Sequence, residues 1–123
     1  MIEKFSEDRI HSECYCAFHN TYPDFRGLLN YNLNNSMNAV AGRRDKGLGL
    51  QKGRSDMVLY MCGTAFMIEM KTPKGKQHGK QPEWEKLITA AGYDYVIMRS
   101  VETFMEYIEK IILEHREYLK TIT

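Results

Sequence analysis

Residues 55–71 read SDMVLYMCGTAFMIEMK, two apolar and partly alternating runs on either side of a turn that contains glycine. Runs rich in β-branched and aromatic residues around a short turn are typical of a β-hairpin. A two-residue turn at Gly63 and Thr64 would place Cys62 opposite Ala65. We therefore predict two antiparallel strands at the centre of the fold.

The chain before this hairpin contains one clear helical pattern. Ile10, Cys14 and Phe18 recur at helical spacing, which predicts a first helix over residues 7–21 with Ser6 as its N-cap. A strand is predicted over residues 28–33. The following stretch, up to residue 53, is rich in Asn, Gly and basic residues, which predicts a long irregular loop.

The chain after the hairpin predicts a helix, a strand and a last helix. Pro82 suits a first helical position and Gly92 a position just past a helix end, so we expect a helix over residues 83–91. A buried strand over residues 93–99 follows, and Ser100 suits the N-cap of the final helix. A strand that returns through a helix pairs in parallel with its predecessor. The predicted fold class is therefore α/β, a mixed sheet of about four strands flanked by helices in the order α-β-β-β-α-β-α.

Length and composition indicate one soluble domain over residues 1–123. Hydrophobic residues make up 43% of the chain and charged residues 27%, which is typical of a globular protein. The sequence has neither a run of about 18 apolar residues nor an apolar leader, so no membrane association and a cytoplasmic location are expected. The three cysteines, at positions 14, 16 and 62, are expected to be reduced thiols.

Three charged side chains should converge at one end of the hairpin. Counting back from the turn brings Asp56 opposite Lys71, and because side chains alternate along a strand, Glu69 shares their face as a diagonal neighbour of Asp56. Two neighbouring carboxylates repel unless a cation lies between them, and oxygen ligands suit Mg²⁺ or Mn²⁺. The backbone carbonyl of Met70 is a further candidate ligand. Lys71 would hold or deprotonate an attacking water and offset phosphate charge.

The segments GRSDMVLY, FMIEMK and KGKQHGKQPEWEKLITAAGYDYVIMRS together resemble the VRR-Nuc branch of the PD-(D/E)XK nuclease superfamily. The resemblance covers residues 53–104 and carries over Gly53 with Asp56, Glu69 with Lys71, and Gln81 at a helix start. It implies a restriction-endonuclease-like core, a Mg²⁺-dependent endonuclease activity on DNA, and branched DNA as a candidate substrate. One departure is Ser55, which stands where the superfamily name has proline.

The resemblance also implies a glutamate of the first helix near the metal, and Glu13 is the candidate. From the residues alone, Glu13 is equally well explained as a solvated glutamate on a helix surface.

Local basic clusters give this nearly neutral chain, of formal net charge +1, a surface for a polyanion. One cluster leads into Asp56 and the other follows Lys71, so both would bring phosphate-binding charge to the metal's edge. The candidate nucleic-acid-binding residues are Arg43, Arg44, Lys46, Lys52, Arg54, Lys74 and Lys76. The alternative explanation of the first cluster is a solvated flexible loop.

Two other functions fit parts of the pattern. A nucleic-acid-binding module with the same fold would use the basic residues without cutting, but it would gain nothing from two repelling carboxylates. A purely structural protein would leave the basic residues unexplained. Trp84, Tyr93 and Tyr95 could stack on bases, but on elements that must pack together they are expected to be core or boundary residues.

A homodimer is expected as the working unit, because double-stranded or branched DNA offers two strands and one small domain holds one site. The final helix carries apolar residues beyond one core stripe, namely Met105, Tyr107, Leu113, Tyr118, Leu119 and Ile122. A helix buried on two sides within a single subunit would explain the same excess.

Overall fold

The four-stranded sheet of this computed structural model is mixed, as predicted. The structure describes residues 2–32, 39–49, 53–115 and 120. The strands lie side by side in chain order, and the first three are antiparallel while β3 and β4 are parallel. Their bounds are β1 Leu29–Tyr31, β2 Met57–Met61, β3 Thr64–Met70 and β4 Asp94–Met98. The α/β class and the crossover between the last two strands are thus confirmed.

The described residues form four α-helices, and a 3-10 turn, Pro23–Phe25, follows the first of them. The helices are α1 Ile2–Thr21, α2 Ala39–Gly47, α3 Gln81–Ala90 and α4 Val101–Glu114. The predicted signals at two helix ends are confirmed. The Ser100 side chain accepts a hydrogen bond from the Thr103 N–H at 3.2 Å, and Gly92 has a φ of +98° just beyond α3.

The two faces of the sheet are covered by different helices. On one face, side chains such as Leu59 and Ile68 pack with Phe18 of α1 and Phe104 of α4 in the main core. On the other face, a smaller cluster packs against α3, comprising Val58, Ala65 and Met67 together with Trp84, Ile88 and Tyr95. Strands β2 and β3 are therefore buried on both sides, which is why their sequences read as nearly continuous apolar runs.

The hairpin register differs from the predicted one by two residues. Met61 pairs with Thr64, so the turn is formed by Cys62 and Gly63, whose φ angles are 59° and 73°. A turn with positive φ at both central residues has a twist that matches the right-handed twist of the two strands it joins. Gly63, the second central residue, adopts its positive φ without steric cost. Extending this register places Asp56 opposite Glu69, not opposite Lys71. A shift of two keeps every side chain on its predicted face.

Two further predictions about local structure are wrong. Residues 39–47 of the predicted loop form helix α2, because alanines and arginines there favour a helix more than Gly42 and the last residue, Gly47, oppose one. Ser6 is not an N-cap, because α1 begins at Ile2 and Ser6 lies inside it. The end of the predicted strand, Leu33, lies outside the described residues.

The surplus apolar residues of the final helix are partly covered within one subunit. Met105 and Tyr107 pack against the main core, whereas Leu113 is 53% exposed. Three others, Tyr118, Leu119 and Ile122, lie outside the described residues. The homodimer stays a prediction. Light scattering, which measures the mass in solution, tests it. In the described part of the chain, no helix is both long and apolar enough to cross a membrane.

Candidate active site

The carboxyl groups of Asp56 and Glu69 meet at one end of the central hairpin. Glu69 is fully buried, and its carboxyl group is close enough to that of Asp56 for the two to interact electrostatically. The side chain of Asp56 is fixed by a hydrogen bond, which its Oδ2 accepts from the Met70 N–H at 2.7 Å. The observed register therefore brings these two carboxylates together on one face of the sheet, as predicted.

The edge strand fixes the backbone that presents Asp56. The Asn32 N–H donates to the Asp56 carbonyl oxygen at 2.8 Å, and the Asn32 side-chain amide donates to the Ser55 carbonyl oxygen at 3.0 Å. Ser55, fully buried, donates its hydroxyl to the Met57 carbonyl oxygen at 3.0 Å. The residue that replaces proline thus satisfies its own buried hydroxyl and stabilises the entry to β2.

Burial is the largest cause of a rise in the pKa of Glu69 from 4.5 to about 8. The neighbouring Asp56 and its negative charge contribute to this rise, while the charge of Lys71 and the hydroxyl of Tyr95 oppose it. Without a cation, Glu69 is therefore mostly protonated at neutral pH. A bound cation would replace that proton.

Lys71 follows β3 and is only 2% exposed. Its backbone N–H donates to the Met98 carbonyl oxygen at 3.0 Å, which continues the pairing with β4 and holds the residue at the sheet end. The positive charge of Lys71 acts on both Glu69 and Glu7. The side chain of Lys71 thus places a positive charge close enough to two carboxyl groups to act on both.

Among the described side chains of α1, those of Glu7 and His11 interact electrostatically with this site. Burial raises the pKa of Glu7, and among nearby charges Lys71 lowers it while Asp56 raises it. Burial lowers the pKa of His11, whereas the negative charge of Asp56 acts to raise it. Glu13, the predicted ligand, instead forms an exposed ion pair with Arg9 at 2.9 Å. The geometry therefore favours Glu7 over Glu13 as the helix-one glutamate of the site.

Gln81 begins α3, and its described contacts are with one residue of the preceding loop. Its Oε1 accepts from the His78 N–H at 2.9 Å, and its own N–H donates to the His78 carbonyl oxygen at 3.1 Å. Arg99 fixes the other part of that loop, because its guanidinium donates to the carbonyl oxygens of Thr72 at 2.6 Å and Gly75 at 2.7 Å. The loop after Lys71 is thus tied at both ends.

Tyr95, Gln77 and Glu85 form a hydrogen-bonded chain to Glu69 that the sequence analysis missed. The Tyr95 hydroxyl donates to Glu69 Oε2 at 3.1 Å, and the Gln77 amide contacts both Tyr95 Oη at 3.2 Å and Glu85 Oε1 at 2.8 Å. The signal was available in part, since a tyrosine in a buried strand needs a partner for its hydroxyl. The partner could not be identified without the pairing of β3 with β4.

The donor set fits a small divalent cation. Among the described residues, no group of three or more His, Cys, Asp or Glu side chains is arranged to hold a metal. However, Glu69 Oε1 is buried and has no hydrogen-bond partner in the structure as described, which is costly unless a proton or cation satisfies it. Mg²⁺ in proteins is often held by one or two carboxylates and keeps several waters. Asp56 and Glu69 would hold such an ion, and the Met70 carbonyl remains a candidate ligand.

Most of the predicted basic residues are exposed. Arg43, Arg44 and Lys46 lie on helix α2, and Lys74 and Lys76 lie in the loop after β3. Arg54 is half-buried with its guanidinium 5.8 Å from the centre of the Trp84 ring. Lys52 lies outside the described residues. The exposed cations can contact a polyanion, whereas Arg54 also stabilises the packing of α3.

Gly53 brings the segment before Asp56 against the start of α3. Its φ is +80°, and a Cβ built there would lie 2.5 Å from the carbonyl carbon of Lys80. Any side chain at this position would push apart the segments that carry Asp56 and Gln81.

We expect Gly53→Ala to lower the free energy of unfolding by at least about 3 kcal/mol, from the combined clash and strained φ. The matched control is Gly27→Ala, because Gly27 has a φ of +95° with nothing within 4 Å. The control should lose only about 1 kcal/mol. Urea denaturation of both variants measures the difference, and equal losses would show that the contact with Lys80 is unimportant.

Compared with known proteins, the chain matches no family model, and no curated protein sequence is significantly similar to it.

Proposed function

We propose that this protein is a Mg²⁺- or Mn²⁺-dependent endonuclease that hydrolyses phosphodiester bonds in DNA, with a restriction-endonuclease-like core. One observation supports the proposal most directly. A fully buried glutamate, Glu69, presents an oxygen without a partner in the described structure beside a second carboxylate, Asp56. Such a pair is destabilising in a metal-free protein and is the arrangement that a hard cation stabilises.

Each residue of the site has a role in the proposed reaction. Asp56 and Glu69 bind the cation, which when present supplies an activated water and stabilises charge on the phosphate. The Lys71 ammonium orients the attacking water and offsets negative charge on the reacting phosphate. Glu7 lies close enough to interact electrostatically with Lys71, so it adjusts the field in which the water is held. Gln81 shapes the loop that faces the substrate.

DNA is the proposed substrate because exposed cations lie on α2 and in the loop that directly follows Lys71, and because the sequence motifs resemble those of DNA nucleases. A branched or junction substrate rests on that resemblance alone. Helix α2 and the loop after β3 would contact phosphates on either side of the cleaved bond.

A non-catalytic nucleic-acid-binding module is the second candidate. It is favoured by the finding that, in the residues described, no cluster of three metal-ligating side chains is formed. Such a module would bind DNA through the same cations and would be indifferent to Mg²⁺.

Nicking of supercoiled plasmid by the purified protein separates the two functions. We expect conversion to open-circular DNA with Mg²⁺ or Mn²⁺ and none with a chelator. Equal DNA binding in both conditions without any nicking would instead support the binding module. A branched oligonucleotide assayed beside its linear duplex then tests the preference for branched DNA.

Neutralising helix α2 should weaken DNA binding evenly across sequences. In the variant with Arg43, Arg44 and Lys46 all replaced by Gln, each lost phosphate contact should reduce the slope of log affinity against log salt by about one unit. Fluorescence anisotropy at several salt concentrations measures the slope. Lys110→Gln is the control, because Lys110 is equally exposed but lies on α4 in an ion pair with Glu114. An unchanged slope in the triple variant would remove α2 from the DNA-binding surface.

A further inference from the structure

Glu69 is held from one side by a directional chain of hydrogen bonds. Its Oε2 accepts from the Tyr95 hydroxyl, which contacts the Gln77 side-chain amide, which in turn contacts Glu85. The chain joins three elements, since Tyr95 lies on β4, Gln77 in the loop after β3 and Glu85 on α3. The opposite oxygen of Glu69, Oε1, has no partner among the described residues.

The direction of this chain follows from the chemistry of its members. The Gln77 amide nitrogen donates one proton to Glu85 Oε1 at 2.8 Å. The second proton of that nitrogen then points to Tyr95 Oη, which accepts it. Tyr95 has a single proton, and this arrangement leaves that proton for Glu69 Oε2. Glu85 thus decides which way Tyr95 donates.

Packing keeps the chain in place. Tyr95 pairs with Met67 in the parallel register, two residues from Glu69, and its ring centre lies 6.0 Å from that of Trp84. Arg99 holds the backbone of the loop that carries Gln77 through its bonds to the Thr72 and Gly75 carbonyl oxygens. Tyr95 therefore has a fixed hydroxyl position relative to Glu69.

We infer that Tyr95 is a positioning residue that restricts Glu69 to one-oxygen coordination and thereby selects Mg²⁺ over Ca²⁺. The hydroxyl engages one lone pair of Oε2 and fixes the orientation of the carboxylate, so that Oε1, which has no partner among the described residues, is the oxygen best placed to bind a cation. Mg²⁺ demands a nearly ideal octahedron of single oxygens, whereas Ca²⁺ accepts larger coordination numbers and both oxygens of one carboxylate. The inference rests on the proposed metal-binding function and goes beyond it by assigning selectivity to residues that touch no cation.

The test is the selectivity of direct cation binding, measured by calorimetry on the whole chain with Mg²⁺ and with Ca²⁺ separately. In Tyr95→Phe, Glu69 is free to use both oxygens. We expect the Kd for Mg²⁺ to rise by about tenfold or more, while the Kd for Ca²⁺ rises less or falls, so that the ratio of the two shifts towards Ca²⁺ by about tenfold. Tyr107→Phe is the matched control, because the Tyr107 hydroxyl is also buried but has no hydrogen-bond partner among the described residues. Its ratio should equal that of the unmodified protein.

A second variant guards against loss of folding in Tyr95→Phe. Glu85→Gln keeps the tyrosine ring but allows the Gln77 amide to turn over, so that Tyr95 can donate to Gln77 and release Glu69. We expect the same direction of change in the Mg²⁺ to Ca²⁺ ratio with a smaller size. Thermal denaturation checks that both variants fold.

The outcomes separate this inference from the function on which it rests. If the unmodified protein binds neither cation, the metal-dependent function and the inference are both overturned. If it binds Mg²⁺ and the ratio stays unchanged in folded Tyr95→Phe and Glu85→Gln, only the positioning role is overturned. A loss of affinity that is equal for both cations would likewise contradict it, because a merely structural role predicts no change in selectivity.

Discussion

Asp56→Asn and Glu69→Gln are each expected to lower Mg²⁺-dependent cleavage by about a thousandfold, because each removes a negative ligand from a site that needs charge compensation. Both substitutions preserve shape. In Asp56→Asn the new amide oxygen can still accept from the Met70 N–H, and in Glu69→Gln the new amide oxygen can still accept from the Tyr95 hydroxyl, so the fold should persist. Plasmid nicking rates at saturating Mg²⁺ measure the effect.

The control for this experiment is Glu114→Gln. Glu114 is a glutamate of α4 whose side chain is 57% exposed and paired with Lys110. Glu114→Gln changes the net charge by the same amount as the two site variants. A similar loss of cleavage in Glu114→Gln would show that the net charge of the protein, and not the site, causes the loss. Near-normal cleavage by folded Glu69→Gln would exclude Glu69 from the site.

The same assay distinguishes the two glutamates of helix α1. Glu7 interacts with Asp56 and Lys71, whereas Glu13 is occupied by Arg9 at the surface. We therefore expect Glu7→Gln to slow cleavage more than Glu13→Gln. The reverse order would restore Glu13 as the residue that assists the site.

The second large effect concerns stability in the absence of metal. The pKa of Glu69 is raised to about 8 in the folded protein from 4.5, so the folded state retains a proton that the unfolded state loses. The stabilisation linked to that proton is fully present below 4.5 and is lost as pH rises from 4.5 to about 8. Loss of this proton should steadily reduce the free energy of unfolding across that range.

Glu69→Gln removes this dependence, because glutamine has no proton to lose. Relative to the unmodified protein, the variant should gain about 4 kcal/mol of stability between about pH 5 and about pH 9. Urea denaturation with a chelator present measures the two curves, and Glu114→Gln again serves as the control. Parallel curves for the variant and the unmodified protein would show that Glu69 ionises freely and that its carboxyl is not desolvated. Adding Mg²⁺ should stabilise only the unmodified protein at high pH.

Much of the fold followed from the sequence because periodicity and end signals acted together. The alternation in residues 55–71 identified two adjacent strands, and Ser100 and Gly92 marked the ends of two helices. Side-chain alternation also fixed the common face of Asp56, Glu69 and Lys71. That prediction survived the error in the turn, because a register error of two residues leaves each side chain on the same face.

The parts that failed depend on contacts between distant segments. Choosing between Glu7 and Glu13 requires knowing the position of α1 along its axis relative to the sheet. The two glutamates are six residues apart, which corresponds to about 9 Å along the helix. Local spacing carries no such information. Tyr95 was interpreted as a packing residue, because its partner is 26 positions away and becomes evident only from the parallel pairing. Helix α2 was missed because Asn and Gly in its neighbourhood were given more weight than its alanines.

The connectivity of the hairpin and the crossover has a consequence for the order of folding. Asp56 and Glu69 lie at the open end of a hairpin whose strands are joined by a turn of two residues, so loop-closure entropy favours their early meeting. Tyr95 arrives at Glu69 only after α3 has formed and β4 has docked beside β3. The carboxyl groups of Asp56 and Glu69 thus come together before β4 has joined the sheet. The Tyr95 hydroxyl, which fixes Glu69, reaches them last. Protonation of Glu69 would relieve their repulsion during that interval, so collapse of the sheet should proceed fastest in mildly acidic conditions.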